Sequence, residues 1–457
     1  MNIVFDLFLG LVGLGLVVFV HELGHFLAAR ATGIGVDAFS LGWGPRLAGF
    51  KRGDTEYRIS VFPIGGYCQM RGEAEFRAAL EKKSDEIPRI PGTYYGEPPW
   101  KRIIVSISGP LANVLFAALA FVAVAAVGYS IPTQGNRVVL ASQYPLDASA
   151  AAIAYPADRA GLMSGDRIVR ADGRPIADYY EIQNAISESI PGARIGILPW
   201  VEAVAVTVQS ASAADLAGVL PGDRIVSLDG RPVAHEIELL SLLRQHPETV
   251  SIGVMRGEKA LDIPLVLTWK ANGASDLGIG FGSLTHLVRS PTPLGAFTDG
   301  LAETGRTFSL TLRSIGSLVK KPAGKTLRLE VTRDGRPLSL AVSPSLEGIN
   351  LMNSLSGPAR ITWIVGNTAT QGIGESGVQG LAKSFAQLAF LSIGLFIMNL
   401  LPIPALDGGQ IIIFLVEMAR RKPLRVATIY RVQILGAFFV FAIFILATIS
   451  DFMFFMR

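Results

Sequence analysis

Residues 17–30 read VVFVHELGHFLAAR, and there two histidines and a glutamate interrupt a run otherwise composed for lipid. Ionisable side chains inside a membrane span are costly and need a partner or a task. Helix positions four apart share a face, so His21 and His25 stand one turn apart and both imidazoles reach one point. His-Glu-x-x-His on a helix is a pattern for holding zinc with the two histidines, while the carboxylate between them, Glu22, takes a proton from water.

Working outward, the chain of 457 residues is 50% hydrophobic and only 17% charged, with a mean hydropathy of +0.42. That composition belongs to a membrane protein with soluble parts. The net charge of +4 is small and the basic residues form no long run, so no nucleic-acid partner is expected. A single cysteine, Cys68, excludes an intramolecular disulfide framework and a cysteine-rich metal site. The opening MNIVFDLFLG lacks a basic flank, so the first apolar stretch reads as a retained span and not a cleaved signal.

A bilayer core of roughly 30 Å needs about 20 helical residues. Four segments qualify: 1–31, 101–131, 381–419 and 431–456, the third broken by Pro402 and Pro404. Lys and Arg crowd the 32–100 connection and the short ARRKPLR connection, which puts both on the cytoplasmic side. The termini and the long 132–380 segment then fall outside the cytoplasm. The expected fold is a polytopic α-helical membrane protein of four transmembrane helices, one broken, carrying an extracytoplasmic α+β region.

That outer region contains a repeat: AGLMSGDRIVRADGRPI (160–176) returns as AGVLPGDRIVSLDGRPV (217–233). Each copy has a Gly-Asp turn, Gly165-Asp166 and Gly222-Asp223, then a strand, an Asp-Gly turn and a second strand. The copies resemble tandem PDZ domains of the bacterial, protease-associated type, expected at 132–210 (abbreviated) and 211–285. Gly165 and Gly222 lie only 57 positions apart, short for a complete unit. The strand-like 322–344, within an expected linker at 286–380, is a surplus hairpin that either completes the first unit or caps the second.

Zinc with one open position needs a third protein ligand. His235, His246 and His286 all fall in the outer segment. Asp407 in MNLLPIPALDGGQ is the better candidate, because backbone unwound at membrane depth is tolerated only where protein or a wet cavity surrounds it. The alternative is a surface acid just past a span end.

HELGH, LDGG, PPWKRIIVSISGPLANV and the PDZ pair together resemble the site-2 protease family of intramembrane zinc metalloproteases, RseP type with tandem PDZ domains. The resemblance implies a zinc metalloendopeptidase with one Zn²⁺ per chain on His21, His25 and Asp407, and Glu22 as general base. It implies that Asn399 holds substrate backbone or the oxyanion. Gly109, Pro110 and Asn113 would pack beside the active site, although these three read equally well as a packing kink and an interhelical hydrogen bond. Relatives often carry Asn where this chain has Gly394, and His where it has Gln410.

Further implications concern partners and place. Segment 55–73 would be a membrane-dipping β-loop that pairs with unwound substrate, the alternative being an ordinary hairpin. Substrates would be single-span membrane proteins, such as anti-sigma factors and remnant signal peptides, already trimmed by a site-1 protease. The location would be the bacterial inner membrane, in direct contact with the lipid bilayer, with the PDZ region outside and the active site towards the cytoplasm.

Overall fold

The computed structural model describes residues 3–144, 154–190, 193–244, 249–269, 275–319, 326–345 and 357–456. His246 and positions 322–325 of the expected hairpin lie outside these residues. The chain divides into two compact units, one of residues 1–129, 288–312 and 350–456, the other of 130–287 and 313–349.

The first unit begins with α1 (Ile3–Thr32). A long antiparallel hairpin follows, β1 (Val36–Arg52) and β2 (Thr55–Met70). After a short helix α2 (Glu73–Glu81) the chain enters α3 (Pro99–Val127), whose Pro at the first helical position needs no hydrogen-bond donor. Phe26, Ala29, Ile34, Phe39 and Val105 form a buried cluster that seats the base of the hairpin on α1 and α3.

The second unit contains two small domains built on one plan. In the first, β3 (Arg167–Ala171) is followed by the N-capped helix α4 (Tyr179–Ser189). In the second, β4 (Arg224–Leu228), α5 (Glu236–Leu243), β5 (Thr249–Arg256) and β6 (Lys259–Val266) follow in order. The strand next to β3 comes from far downstream: β7 (Leu327–Arg333) pairs antiparallel with it, and β8 (Arg336–Val342) pairs with β7.

The two sheets have matching order and register, with Leu329 opposite Ala171 and Ile252 opposite Leu228. One core gathers Ile168, Ile182 and Ile186 with Leu327, Leu329 and Val331; the other gathers Ile225, Leu239, Ile252 and Leu265. The second domain is therefore inserted between the early strands of the first and its closing hairpin. Ala203 and Ala205 belong to the second core, and Ala205–Val208 pairs with Ile279–Phe281. A boundary at 210 would leave that strand on the wrong side.

The expected 286–380 linker is instead largely helical. Within the first unit, the early part of α6 (Pro293–Val319) rests Gly300 against the backbone of Val122 in α3. Helix α7 (Pro358–Ser376) crosses α1 so closely that a methyl group on Gly366 would overlap the carbonyl of Asp6. Thr370 also donates to the buried Asp6 carboxylate at 2.6 Å. Too polar to score as a span, α7 is held by small-residue contact and hydrogen bonding.

Helix α8 (Val378–Asn399) is complete and unbroken. The third span was expected to break in its interior; instead it ends at Asn399, and the proline-bearing turn 400–406 leads into a separate helix, α9 (Asp407–Arg420). Twenty-two residues at 1.5 Å each already suffice for a bilayer core. Helix α10 (Val426–Phe455) closes the chain. Among the described residues four helices, α1, α3, α8 and α10, are long and apolar enough to cross a membrane.

Candidate metal centre

Helices α1, α2, α3, α8 and α9 and strand β2 of the first unit meet at a cavity of about 390 Å³ lined by His21, Glu22, His25, Cys68, Asn399 and Asp407, among others. His21 and His25 sit on the buried face of α1. Their Nε2 atoms are 3.1 Å apart. Asp407 approaches from the first turn of α9, where a carboxylate is favoured by the helix dipole. Its oxygens lie 3.1 Å from His21 Nε2 and 3.5 Å from His25 Nε2. The glycines that follow, Gly408 and Gly409, pack on the backbone of the 400–406 turn and leave no room for side chains there.

These separations match a metal. Ligand atoms about 2.0 Å from a tetrahedral ion stand roughly 3.3 Å from one another. Here the two Nε2 atoms are 3.1 Å apart, Asp407 Oδ2 is 3.1 Å from that of His21 and Asp407 Oδ1 is 3.5 Å from that of His25. One donor atom from each residue lies within 4.8 Å of the others. Among the described residues this is the group of His, Cys, Asp and Glu side chains that could hold an ion.

The outer ring nitrogens fit as well. His25 Nδ1 donates to the Val105 carbonyl at 2.8 Å, leaving the Nε2 lone pair free for a metal. Buried Asn113 places its amide 3.3 Å from His21 Nδ1, while its Oδ1 is buried without a partner. A half-turn of that amide sets Oδ1 on the His21 Nδ1–H, satisfying both groups and freeing His21 Nε2.

Gly109 adds a steric condition, since a Cβ at that position would collide with His25 Nε2. Of the second-span residues, Gly109 and Asn113 thus touch the histidines directly. Pro110 is buried inside α3.

Glu22 faces the same cavity, its Oε2 accepting the Cys68 backbone N–H at 3.0 Å. The edge of β2 therefore fixes the carboxylate. Asn399, the last residue of α8, and Gln410 complete the wall. Sequence reasoning passed over Cys68, whose contribution is a backbone donor with no side-chain signature. It also passed over Tyr94, which donates to or accepts from Ser106 Oγ at 3.1 Å and lines the cavity. The Gly-Asp turns lie in the other unit and serve structure: Arg333 forks onto Asp166, and Arg256 onto Asp223.

Comparison with known proteins places these residues in context. The chain matches the Peptidase family M50 across residues 9–443. It is 35% identical over 97% of its length to a "Putative zinc metalloprotease" of Treponema pallidum, covering 98% of that protein. It is 26% identical to a protein of the same name from Borreliella burgdorferi, covering 96% of each. It is 27% identical to "Regulator of sigma-E protease RseP" of Salmonella typhimurium, covering 93% of each.

Proposed function

The chain belongs to peptidase family M50 and is a zinc metalloprotease of the membrane, and from that premise we propose that it cuts single-span membrane proteins at a site made by His21, His25, Asp407 and Glu22. The observation that carries this reading is the convergence of three metal-type donors and the Glu22 carboxylate on a single cavity between apolar helices. Zinc, when bound by His21, His25 and Asp407, supplies Lewis-acid polarisation of the scissile carbonyl and of a water.

The chain's own groups do the rest. Glu22, steadied by the Cys68 N–H, takes the proton of the attacking water and passes it to the departing amine. Asn399 lines the cavity beside the donors and is suited to donate its amide to the developing oxyanion. A substrate helix hides its carbonyls in internal hydrogen bonds and must unwind before cleavage. The hairpin supports a strand-pairing role: β2 passes the base, and Leu41, Trp43, Leu47, Phe50, Ile59 and Phe62 expose apolar surface suited to lipid.

The repeated outer domains read as PDZ domains, the first split by the second, with limits near 134–199 plus 326–345 and near 201–281. On the expected topology they face outside and the metal centre faces the cytoplasm, so they serve as a gate. A bulky ectodomain is excluded until a site-1 protease has shortened it, and anti-sigma factors and remnant signal peptides are substrates of that kind.

The test is Glu22→Gln in cells that co-express a trimmed single-span substrate. Cleavage falls by at least about a hundredfold while purified protein keeps its zinc. Continued processing would reject the assignment. Asp407→Asn separately lowers zinc content, and unchanged stoichiometry would remove Asp407 from the ligand set.

A further inference from the structure

A second cavity, of about 340 Å³, lies where α3 begins, α9 ends and the chain turns into α10, with Arg89, Glu97, Arg102, Glu417, Arg421 and Lys422 among its walls. Both carboxylates are already engaged. Glu97 accepts from Lys101 and from the Gly92 N–H. Glu417 accepts from Arg102 at 2.8 Å and from the Leu424 N–H at 2.9 Å. Three of the cations are not balanced in this way: Arg89, Arg421 and Lys422 are exposed with no ion pair among the described residues, while Arg102, paired with Glu417, has its buried Nε unpartnered.

The position narrows the ligand. Helices α3 and α10 are candidate spans; α3 starts in the wall of this cavity, and α10 starts at Val426, just past the wall residue Leu424. The cavity therefore sits at a bilayer surface, and Trp100, 52% exposed in the first turn of α3, is an interfacial residue by type. Its volume holds roughly ten waters at about 30 Å³ each, far more than a bare phosphate needs. Pro98, Pro99 and Met418 add an apolar wall beside the cations.

We propose that this cavity binds the phosphate-bearing headgroup of an anionic phospholipid, with Arg421, Lys422 and Arg89 meeting the phosphate. Basic pockets between transmembrane helices are suited to such headgroups. The proposal rests on α3 and α10 being spans and is independent of the catalytic assignment.

The experiment is native mass spectrometry of the full chain, delipidated in detergent and offered equal amounts of phosphatidylglycerol and phosphatidylcholine. Wild type retains phosphatidylglycerol preferentially. Each surface cation is worth roughly fivefold in affinity, so Arg421→Asn with Lys422→Gln weakens retention about 25-fold. Asparagine suits the left-handed backbone at 421 (φ 53°). The charge-preserving pair Arg421→Lys with Lys422→Arg retains the lipid, and so does the control pair Lys82→Gln with Lys83→Asn. Equal retention by the neutralised variant would overturn the site. Displacement by excess inorganic phosphate as readily as by lipid would show a soluble-anion pocket and overturn the lipid assignment.

Discussion

Arg333 forks onto Asp166 from 167 residues downstream, its Nε 2.8 Å and its Nη2 2.7 Å from the two carboxylate oxygens. Arg256 grips Asp223 in the same way within the second outer domain, and each arginine also donates to the glycine carbonyl that opens its motif, Gly161 or Gly218. The first domain therefore depends on a hairpin the chain delivers only after completing the second. Arg333→Ala is expected to cost about 1.5–3 kcal/mol, the range for hydrogen bonds to charged groups. Hydrogen exchange in the full chain should show faster opening of 167–171 and 327–333, with 224–256 unchanged. Equal loosening of both domains would contradict the nested arrangement.

The second domain carries its own pH dependence. His235 caps α5, its Nδ1 accepting the Glu238 N–H at 3.2 Å, and its ring lies edge-on to Trp200 and Tyr144 with Arg137, Glu202 and Glu238 nearby. Burial pushes its pKa below the ordinary histidine value. Between the folded value and about 6.5 the unfolded chain binds more protons, so stability is full above about pH 6.5 and is lost as pH falls towards the folded value. Protection factors of α5 amides, which correct for the slower intrinsic exchange in acid, should fall from pH 7 to pH 5. His235→Asn, which keeps a good cap as Asp178 does in the first domain, should abolish that slope.

What the sequence disclosed, and what it hid, follows from the kind of interaction. His21, His25 and Asp407 were legible because ionisable groups in apolar segments demand a reason, and a surplus hairpin was legible because the repeat lacked one. Helix α7 was hidden, since Thr, Gly and Asn lower its hydropathy while contacts such as Gly366 on Asp6 hold it. The prolines of 400–406 suggested a mid-span break, but α8 had already spanned the required length. The anchoring of Glu22 was unreadable because its partner is a peptide N–H.

Gly109 offers a clean test of packing at the metal centre. Alanine favours helix more than glycine does, so Gly109→Ala should leave α3 intact while its methyl displaces the His25 ring. Zinc affinity should fall at least about tenfold, as for loss of an outer-shell partner. Competition with a chromophoric chelator reads this directly, and an unchanged affinity would mean that the ring has room to spare.

Asn113 should act through the His21 tautomer. Asn113→Asp retains an acceptor for His21 Nδ1–H and should preserve zinc binding, whereas Asn113→Leu removes it and should cost about 10–100-fold in affinity. If both variants bound zinc like wild type, the Asn113 amide would be packing alone.

Arg102 and Glu417 set the position of α9, and with it Asp407. Their side chains are 7% and 4% exposed, the pair is 2.8 Å long, and the Arg102 guanidinium stacks 4.6 Å from the Phe414 ring. Removing one partner leaves an uncompensated buried charge, a loss of about 3–5 kcal/mol, while replacing both with apolar side chains of similar size can be neutral. Glu417→Ala should therefore lower the melting temperature and weaken zinc binding, because α9 carries a ligand at its other end. Arg102→Met with Glu417→Leu should restore most of the melting temperature. Were zinc affinity to recover with it, the pair would matter only as packing. If affinity stayed low, the ion pair itself would be what aims Asp407 at the histidines.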